Sequence, residues 1–397
     1  MSNEWDTVKL GDVSDFEGGS QPPKSKFVDA PRDGYIRLLQ IRDFKSDKYA
    51  IYIPNIKKNR ICEADDIMIG RYGASVGQIH RGKAGAYNVA LIKTIPNEQT
   101  IDKNFFYLYL TSDLFQKPLM SVADRSAQAG FSKADIAPFE IPLPPLPEQK
   151  RIVAILDEAF AGIEKAIVNT QQNLANAREL FESSLNTIFT QKGEGWEEKS
   201  MEEVAFLTRG HNPPKSKFSD LPKDNYVRFY QIRDGKSDKY TVYVPDSPQL
   251  HRVEPNDILM VAYRHIGNVF RGVSGAFNVA LCKISNRNRN VILDDYLYYI
   301  IPTNFVKGEL LKRSERSLIP SMSVNHLKEI LIPVPPLKVQ KEMVSNILFL
   351  EDKTQRLEAI YQQKLTALAE LKQSLLQKAF SGELTTDDLP IKKEAAA

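Results

Sequence analysis

The sequence has few cysteines and no long apolar run. Its 397 residues include two cysteines, Cys62 and Cys282, which stand far apart in apolar, strand-like surroundings. Two isolated thiols in a chain of this length are typical of a cytoplasmic protein, and we expect both to be buried and reduced. No stretch of 18 apolar residues occurs, and the first residues lack the basic and apolar regions of a secretory signal. Neither a membrane span nor a leader is therefore expected.

Signatures of catalysis are equally scarce. The sequence has no Gly-x-x-x-x-Gly-Lys-Ser/Thr loop for a nucleotide phosphate, and its five histidines are scattered without metal-ligand spacing. The acidic pairs Asp65-Asp66 and Asp294-Asp295 lack the Glu-x-Lys element of a nuclease. We interpret them as solvated starts of strands or helices. These absences argue against ATP hydrolysis, a zinc site and nuclease activity.

One segment imitates an active-site motif. Asn212-Pro213-Pro214-Lys215 is close to the Asn-Pro-Pro-aromatic tetrad of adenine amino-methyltransferases, but a lysine stands where an aromatic ring would stack on an extruded base. The sequence also lacks a Gly-rich strand-to-helix loop for S-adenosylmethionine. We expect no enzyme activity and no metal or cofactor in this chain.

The composition is that of a globular protein with a local excess of basic residues. Hydrophobic residues make up 42% and charged residues 26% of the chain, and the formal net charge is only +3. Ten lysines and arginines against four acidic residues nevertheless lie between Gln21 and Arg60, and eight against five lie between Asn212 and Arg252. Recurrent local basic surface is the electrostatic footprint of a nucleic-acid-binding protein.

An internal repeat spans nearly the whole chain. Pro23-Lys24-Ser25-Lys26-Phe27 returns 191 residues later as Pro214-Lys215-Ser216-Lys217-Phe218. The offset slips to 190 through a one-residue deletion between Tyr263 and Gly267, and it returns to 191 before the proline-rich segments at Ile141 and Ile332. Each half therefore predicts the same fold.

Within each half, the pattern changes once from strands to a long helix. Short runs rich in Ile, Val and Tyr, separated by Gly, Pro and Asp, predict strands, with helices near Phe105–Leu110 and Leu114–Met120. A proline-rich joint follows, and its last proline suits the first turn of a helix. We predict an α+β protein divided into a first strand-rich head (1–147), a helix (148–192), a second head (193–337), a second helix (338–382) and a polar tail (383–397).

The two predicted helices carry apolar residues at steps of three or four over about 40 positions, without a proline. This pattern predicts a coiled coil, and the simplest partner of each helix is the other. A helix of about 45 residues is roughly 68 Å long, which equals about two turns of B-DNA.

A first group of candidate DNA-binding residues alternates with apolar positions in each head. Arginine and glutamine make bidentate contacts with base edges, whereas lysine more often contacts phosphate. An ordinary surface ion pair is the alternative for Arg42-Asp43 and for Arg233-Asp234. The group consists of Lys24, Lys26, Arg37, Gln40, Arg42, Lys45, Lys48 and Tyr49, with the counterparts Lys215, Lys217, Arg228, Gln231, Arg233, Lys236, Lys239 and Tyr240.

A second group lies in a loop that follows a strand-like segment. The glycines of Arg71-Tyr72-Gly73-Ala74-Ser75-Val76-Gly77 suit a close approach of the backbone to a duplex. The counterpart of this loop is Ala262-Tyr263-Arg264-His265-Ile266-Gly267, and here the two heads differ most within an otherwise similar stretch. Its candidates are Arg71, Tyr72, Tyr263, Arg264 and His265.

Two heads, each followed by a proline-rich joint and a long helix, resemble the specificity subunit of type I restriction-modification systems. The joint Pro142-Leu143-Pro144-Pro145-Leu146-Pro147-Glu148-Gln149 and the closing run from Leu371 to Leu384 carry this resemblance. It implies two target-recognition domains that each bind one half of a split site on double-stranded DNA. It also implies an antiparallel helix pair that docks two methyltransferase subunits. S-adenosylmethionine would then belong to those partners, and ATP and Mg²⁺ to indirectly bound restriction translocase-nuclease subunits.

The heads are more alike than is usual for that family, in which the two domains often differ strongly. Similar heads related by a pseudo-two-fold axis would bind similar half-sites on opposite strands, so we predict a target close to an inverted repeat. A coiled-coil scaffold with two heads that do not bind DNA is the alternative.

Overall fold

The computed structural model describes residues 5–124, 130–191, 193–314 and 322–384. The chain forms two compact units, and their boundaries cut through both long helices. The first unit extends to Gln171 and resumes at Gln362, while the second unit spans Gln172–Tyr361. Each unit therefore combines one head with a segment of each long helix. The predicted polar tail, 383–397, lies outside the described residues from 385 onward, and its second residue, Leu384, is buried in the core of the first head.

The heads are built from short strands in the same order. The strands of the first head are β1 (Thr7–Lys9), β2 (Ser14–Gly18), β3 (Tyr35–Leu39), β4 (Ile51–Pro54), β5 (Ile61–Cys62), β6 (Met68–Gly70), β7 (Ile79–His80), β8 (Gly85–Tyr87), β9 (Leu91–Pro96) and β10 (Glu140–Pro142). Those of the second head are β11 (Glu197–Ser200), β12 (Ala205–Arg209), β13 (Tyr226–Tyr230), β14 (Tyr243–Pro245), β15 (Arg252–Val253), β16 (Ile258–Val261), β17 (Val269–Phe270), β18 (Gly275–Phe277), β19 (Leu281–Asn286) and β20 (Leu331–Val334).

The sheet topology of the first head recurs strand for strand in the second. Two four-stranded sheets have the orders β2-β9-β6-β7 and β4-β3-β8-β5, and β1 pairs with β10. In the second head the orders are β12-β19-β16-β17 and β14-β13-β18-β15, with β11 beside β20. The pairs β3–β8 and β13–β18 are parallel, and the other strand pairs are antiparallel. The predicted duplication of the fold is confirmed.

The helices agree with the predicted α+β class. Those of the first half are α1 (Leu10–Val13), α2 (Lys103–Thr111), α3 (Asp113–Ala123), α4 (Lys133–Ile136) and α5 (Leu146–Thr190). Those of the second half are α6 (Met201–Val204), α7 (Asp294–Ile300), α8 (Glu309–Ser314), α9 (Val324–Lys328) and α10 (Leu337–Phe380). A π-helical turn, Asn304–Gly308, precedes α8 and stands where the first head has the start of α3. Helix α5 begins at Leu146, two residues earlier than predicted, and α10 begins at Leu337, one residue earlier. In each joint, the leucine that follows the Pro-Pro pair already lies in the first turn.

A buried glutamine fastens each proline-rich joint to its head. The Gln149 side chain donates from Nε2 to the backbone oxygens of Pro144 (2.8 Å) and Thr100 (3.1 Å). Its Oε1 accepts from the backbone nitrogen of Asp102 at 2.7 Å. Gln340 makes the equivalent three bonds in the second head. Because each glutamine is fully buried, these bonds fix where the long helix leaves its head.

In the first unit, the end of α10 completes the core of the first head. Phe380 is buried, with its ring centroid 5.1 Å from that of Phe105 and 5.8 Å from that of Tyr109. Lys372 lies over the ring of Phe160 near the middle of this helix pair. Just beyond the end of α10, the backbone oxygen of Leu384 accepts a bond from Arg151, near the start of α5. The α5 and α10 segments of this unit are therefore antiparallel.

The second unit uses the end of α5 in the same way. Phe189 is buried with its ring centroid 5.1 Å from that of Tyr296, and Leu185 joins the same apolar cluster. Arg178 on α5 pairs with Glu358 on α10 at 2.7 Å. Each head thus buries the last turns of the long helix that follows the other head in sequence.

Both cysteines are buried, as predicted. Burial raises the pKa of the Cys62 thiol to about 11 and that of Cys282 to about 12. At neutral pH both thiols are therefore protonated and poorly nucleophilic. No helix in the described ranges is long and apolar enough to cross a membrane.

Candidate nucleic-acid interface

Most of the first group of candidate residues, from Gln40 to Tyr49, lies on the connection between β3 and β4. After β3 ends at Leu39, two 3₁₀ turns, Ile41–Phe44 and Asp47–Tyr49, precede β4. The strands on either side bury Leu38, Ile51 and Ile53 against one another. The small sheet therefore holds the turns while Arg42, Lys48 and Tyr49 face solvent, and the second head repeats both turns between β13 and β14.

An exposed tyrosine and two cations form a cluster on these turns, here called the first cluster. The Tyr49 side chain is 57% exposed although it is a large ring. The Arg42 guanidinium lies 5.6 Å and the Lys48 ammonium 5.4 Å from the centroid of that ring. Arg42 also donates to the backbone oxygen of Tyr49 at 3.4 Å. These contacts orient the cations without removing them from solvent.

The second head reproduces this arrangement as the second cluster. Tyr240 is 55% exposed, and both Arg233 and Lys239 lie 5.4 Å from its ring centroid. Arg233 donates to the backbone oxygen of Tyr240 at 3.2 Å. The same solvent-facing geometry is therefore built twice from equivalent residues.

Two other candidates of the first group have bonds that hold the turns together. Arg37 donates to Asp47 at 2.5 Å and lies 3.9 Å from the buried carboxylate of Asp43. Gln40 forms a capping box with Asp43, whose carboxylate accepts from the Gln40 backbone nitrogen at 2.6 Å. The surface ion pair considered for Arg42 and Asp43 is wrong, because Asp43 points inward to the cap and Arg42 lies on Tyr49.

The equivalent residues in the second head have the same roles. Arg228 pairs with Asp238, and Gln231 forms a capping box with Asp234. Burial raises the pKa of the Asp234 carboxyl. Arg37, Gln40 and their counterparts therefore help to shape the turns, and their contact with DNA stays a prediction.

The lysines of the first group surround the turns on the surface. Lys24 and Lys26 are exposed on a 3₁₀ turn whose next residue, Phe27, packs against the same small sheet. Lys45 is exposed between the two turns. Their counterparts Lys215, Lys217 and Lys236 are also exposed. None of these six lysines makes an ion pair with a described residue. Their charges remain available to a polyanion.

Arg71, in the second group, is tied to its own head. Its Nε donates to the backbone oxygen of Phe131 at 2.7 Å, and its guanidinium lies 4.9 Å from the ring centroid of its neighbour Tyr72. Tyr72 is itself 39% exposed and bridges to Gly130. The interior bond gives Arg71 a structural role, and its contact with DNA stays a prediction, while the ring of Tyr72 remains at the surface.

The second head reaches the equivalent backbone oxygen from a different strand. Ala262 stands where the first head has Arg71, and Arg209 stands where the first head has Gly18. Arg209 Nη1 donates to the backbone oxygen of Met322, the counterpart of Phe131, at 2.8 Å. Sequence comparison of the loops alone missed Arg209, because its partner lies more than 100 residues away.

The two groups of candidates are neighbours in each head. His80, on the strand after the loop, stacks on Phe44 of the first turn with centroids 4.6 Å apart. In the second head, His265 and Lys236 line the same cleft. The loop and the turns therefore form one basic, aromatic surface region per head.

The family of type I restriction modification DNA specificity domains matches residues 2–171 and 193–367. The chain belongs to this family. The two matched segments correspond to the two repeats, and the resemblance drawn from the joint and the closing helix is confirmed. As a member of this family, the chain is the DNA specificity subunit of a type I restriction-modification system.

Similar proteins agree with this assignment. The chain is 24% identical over 377 residues to the type I restriction enzyme MjaVIII specificity subunit of Methanocaldococcus jannaschii, covering 87% of this chain and 86% of that protein. It is 22% identical to the EcoBI specificity subunit of Escherichia coli, covering 97% of this chain and 87% of the relative.

Two solved structures share the fold. One, from work on the complex assembly and conformational transition of the type I R-M system, has a TM-score of 0.74 at 18% identity, covering 96% of this chain and 99% of that one. The HsdS subunit of Thermoanaerobacter tengcongensis has a TM-score of 0.52 at 19% identity, covering 96% and 98%.

The segment that imitates a methyltransferase motif has a structural role in this specificity subunit. The Asn212 side chain accepts a bond from the backbone nitrogen of Val279 at 3.0 Å. The acidic pairs lie at surface turns or helix starts and bind basic side chains, Asp65 pairing with Lys103 and Asp295 with Arg271. The tetrad and both acidic pairs are therefore explained by contacts within the fold.

Proposed function

We propose that this specificity subunit is non-catalytic and recognises a bipartite DNA target, one half with each head. The observation that carries this proposal is the repetition of the exposed Arg-Tyr-Lys cluster at the same place in both heads. A protein that recognises one continuous site would not need two equivalent surfaces.

The chemistry of the clusters suits a duplex. Arginine offers a planar fork of donors that matches the acceptors of a guanine edge in the major groove. Exposed lysines around it can bind phosphates and position the head without sequence preference. The proposed contacts are therefore base contacts by Arg42 and Arg233, and phosphate contacts by Lys24, Lys26, Lys45, Lys48 and their counterparts.

The likeness of the heads extends the proposal to the form of the target. Both clusters have the same residue types and closely similar ring distances and exposure, so they should prefer similar bases. If a pseudo-two-fold axis relates the heads, the half-sites lie on opposite strands and the target is close to an inverted repeat.

We further propose that the chain docks two adenine methyltransferase subunits. The long helices repeat together with the heads, so any binding surface on one half has an equivalent on the other. S-adenosylmethionine would be bound by those subunits, and ATP and Mg²⁺ by restriction subunits that join the complex indirectly. The adenine chemistry then takes place on the partners while this chain selects the site.

Mapping of methylated adenines in cells with and without this chain tests the function. We expect a bipartite motif that disappears without the chain, with halves that are close to inverted repeats. Unrelated halves would refute the symmetric target, and unchanged methylation would refute the function. Native mass spectrometry of the purified complex tests the expected two methyltransferase subunits per chain. The chain alone, incubated with DNA and S-adenosylmethionine, should transfer no methyl group.

A further inference from the structure

The loop between β16 and β17 is one residue shorter than its counterpart between β6 and β7. Tyr263 aligns with Tyr72, and the next residue is Arg264 where the first head has Gly73. In the first head, Gly73–Ser75 forms a 3₁₀ turn. In the second head, the His265 backbone nitrogen donates to the Tyr263 backbone oxygen at 2.8 Å, which closes a γ-turn centred on Arg264.

The backbone conformation of Arg264 costs free energy that glycine at this position would not. Its φ is +65°, close to the +58° of Gly73. A γ-turn with positive φ is rare and strained for a residue with a Cβ, whereas glycine adopts it freely. Among the described non-glycine residues only Asn225 shares a positive φ, and asparagine tolerates that region far better than arginine does.

The fold does not explain why an arginine occupies this position. Its side chain is exposed, and it makes no hydrogen bond or ion pair with a described residue. Among the described residues, its guanidinium lies 5.7 Å from the ring centroid of Tyr263. A strained residue whose side chain makes no hydrogen bond or ion pair with the described residues, and only an exposed contact with its neighbour's ring, is best explained by a ligand outside the protein.

The loop is held beside the turn Ile232–Gly235, which carries Arg233 of the second cluster. Its first residue, Ala262, donates to the backbone oxygen of Ala280 at 2.9 Å and accepts from Met322 at 3.0 Å. The last residue of the γ-turn, His265, lines a cleft together with Lys236 of the neighbouring turn. Arg264 is therefore carried on a fixed support next to the proposed DNA-binding surface.

We propose that Arg264 is a specificity-determining residue that contacts a guanine edge in the half-site bound by the second head. The first head offers Gly73 at this place and makes no such contact. This inference rests on the proposed function and refines it: the near-inverted repeat is broken at one base pair, which only the second head constrains. The donor fork of arginine, with its two parallel bonds to O6 and N7, suits that contact.

Two substitutions in the full methyltransferase complex test the proposal, with methylation rates measured on duplexes randomised one position at a time. Arg264→Gly removes the side chain and relieves the γ-turn. Arg264→Lys keeps the charge but not the donor fork. We expect both to lower the discrimination at one position of one half-site by about tenfold or more, with the other half-site unchanged. Thermal stability should not fall in Arg264→Gly.

Asn225→Gly is the matched control, because it replaces the other positive-φ residue with the glycine found at the equivalent position of the first head, Gly34. Its sequence preference should equal that of the unaltered chain. An unchanged preference in Arg264→Gly, or a uniform weakening on all duplexes that Arg264→Lys restores, would overturn the inference. Failure of the unaltered complex to prefer any sequence would instead refute the proposed function.

Discussion

The Nε of Arg71 donates a 2.7 Å hydrogen bond to the backbone oxygen of Phe131, and the second head makes the equivalent bond with an arginine from another strand. The exchange involves two positions at once, because Gly18 and Arg71 of the first head correspond to Arg209 and Ala262 of the second. A Cβ built on Gly18 would lie 3.6 Å from the Arg71 guanidinium, so the two arginines approach the same place. Both heads therefore place a guanidinium beside this backbone oxygen, although the arginine comes from a different position in the sequence.

We therefore expect Arg71→Ala to destabilise the first head by about 1–3 kcal/mol, because it leaves a backbone oxygen without its charged donor. Adding Gly18→Arg should restore much of the lost stability, because it places an arginine where the second head has Arg209. Thermal unfolding of the single and double variants measures both effects. Loss of sequence preference without loss of stability in Arg71→Ala would show instead that Arg71 contacts DNA.

A second pair of positions also differs between the heads and predicts that the heads respond differently to pH. His80 stacks on Phe44 in the first head, whereas the second has Phe270 beside Gly235. Burial and then the charge of Lys45 lower the pKa of His80 below its usual value. The folded head thus binds a proton less readily than the unfolded chain, and its stability falls as the pH drops below about 6.5.

The variant that carries both Phe44→Gly and His80→Phe should lose part of this acid sensitivity, because it has no imidazole to protonate. Melting temperatures of the variant and the unaltered chain, compared between about pH 7.5 and pH 5, measure the difference. Equal slopes for the two proteins would exclude His80 as a source of the pH dependence.

Gln149→Leu should be strongly destabilising although it replaces a polar residue in a fully buried position. Three backbone groups would lose their partner, and each buried unsatisfied group costs about 1–3 kcal/mol. Gln340→Leu should have a similar effect in the second head. Gln171→Leu, at an exposed position of the same helix α5, is the control and should change the melting temperature little. Comparable effects at Gln149 and Gln171 would refute the role of the joint.

Arg42→Ala and Arg233→Ala should each relax recognition in one half-site only, by about 1–3 kcal/mol of discrimination at one base pair. The half-site affected should differ between the two variants, because each arginine belongs to one head. Methylome mapping with each variant, beside the double variant, measures this outcome. Uniform weakening on all sequences, together with a smaller salt dependence, would make these arginines phosphate contacts.

The features that follow from local pattern were predictable. The repeat, the α+β class, the long helices and the burial of both cysteines depend on residue spacing and on apolar periodicity, which a sequence displays directly. The exposed trio of Arg42, Lys48 and Tyr49 also lay within the predicted group. The inward roles of Arg37, Gln40 and Arg71 were not predictable, because a polar side chain on an alternating strand or loop has the same local pattern whether it bonds to its own fold or faces solvent.

The sequence by itself determined that two equivalent halves exist and which residues are equivalent, since duplication leaves its record in the order of residues. Only the tertiary structure decided which segments share a core. The last turns of α10 are buried with Phe105 in the first head, and Phe189 of α5 is buried with Tyr296 in the second. The physical reason is that apolar spacing specifies a buried face, whereas the partner of that face is chosen by side-chain packing between segments far apart in the chain.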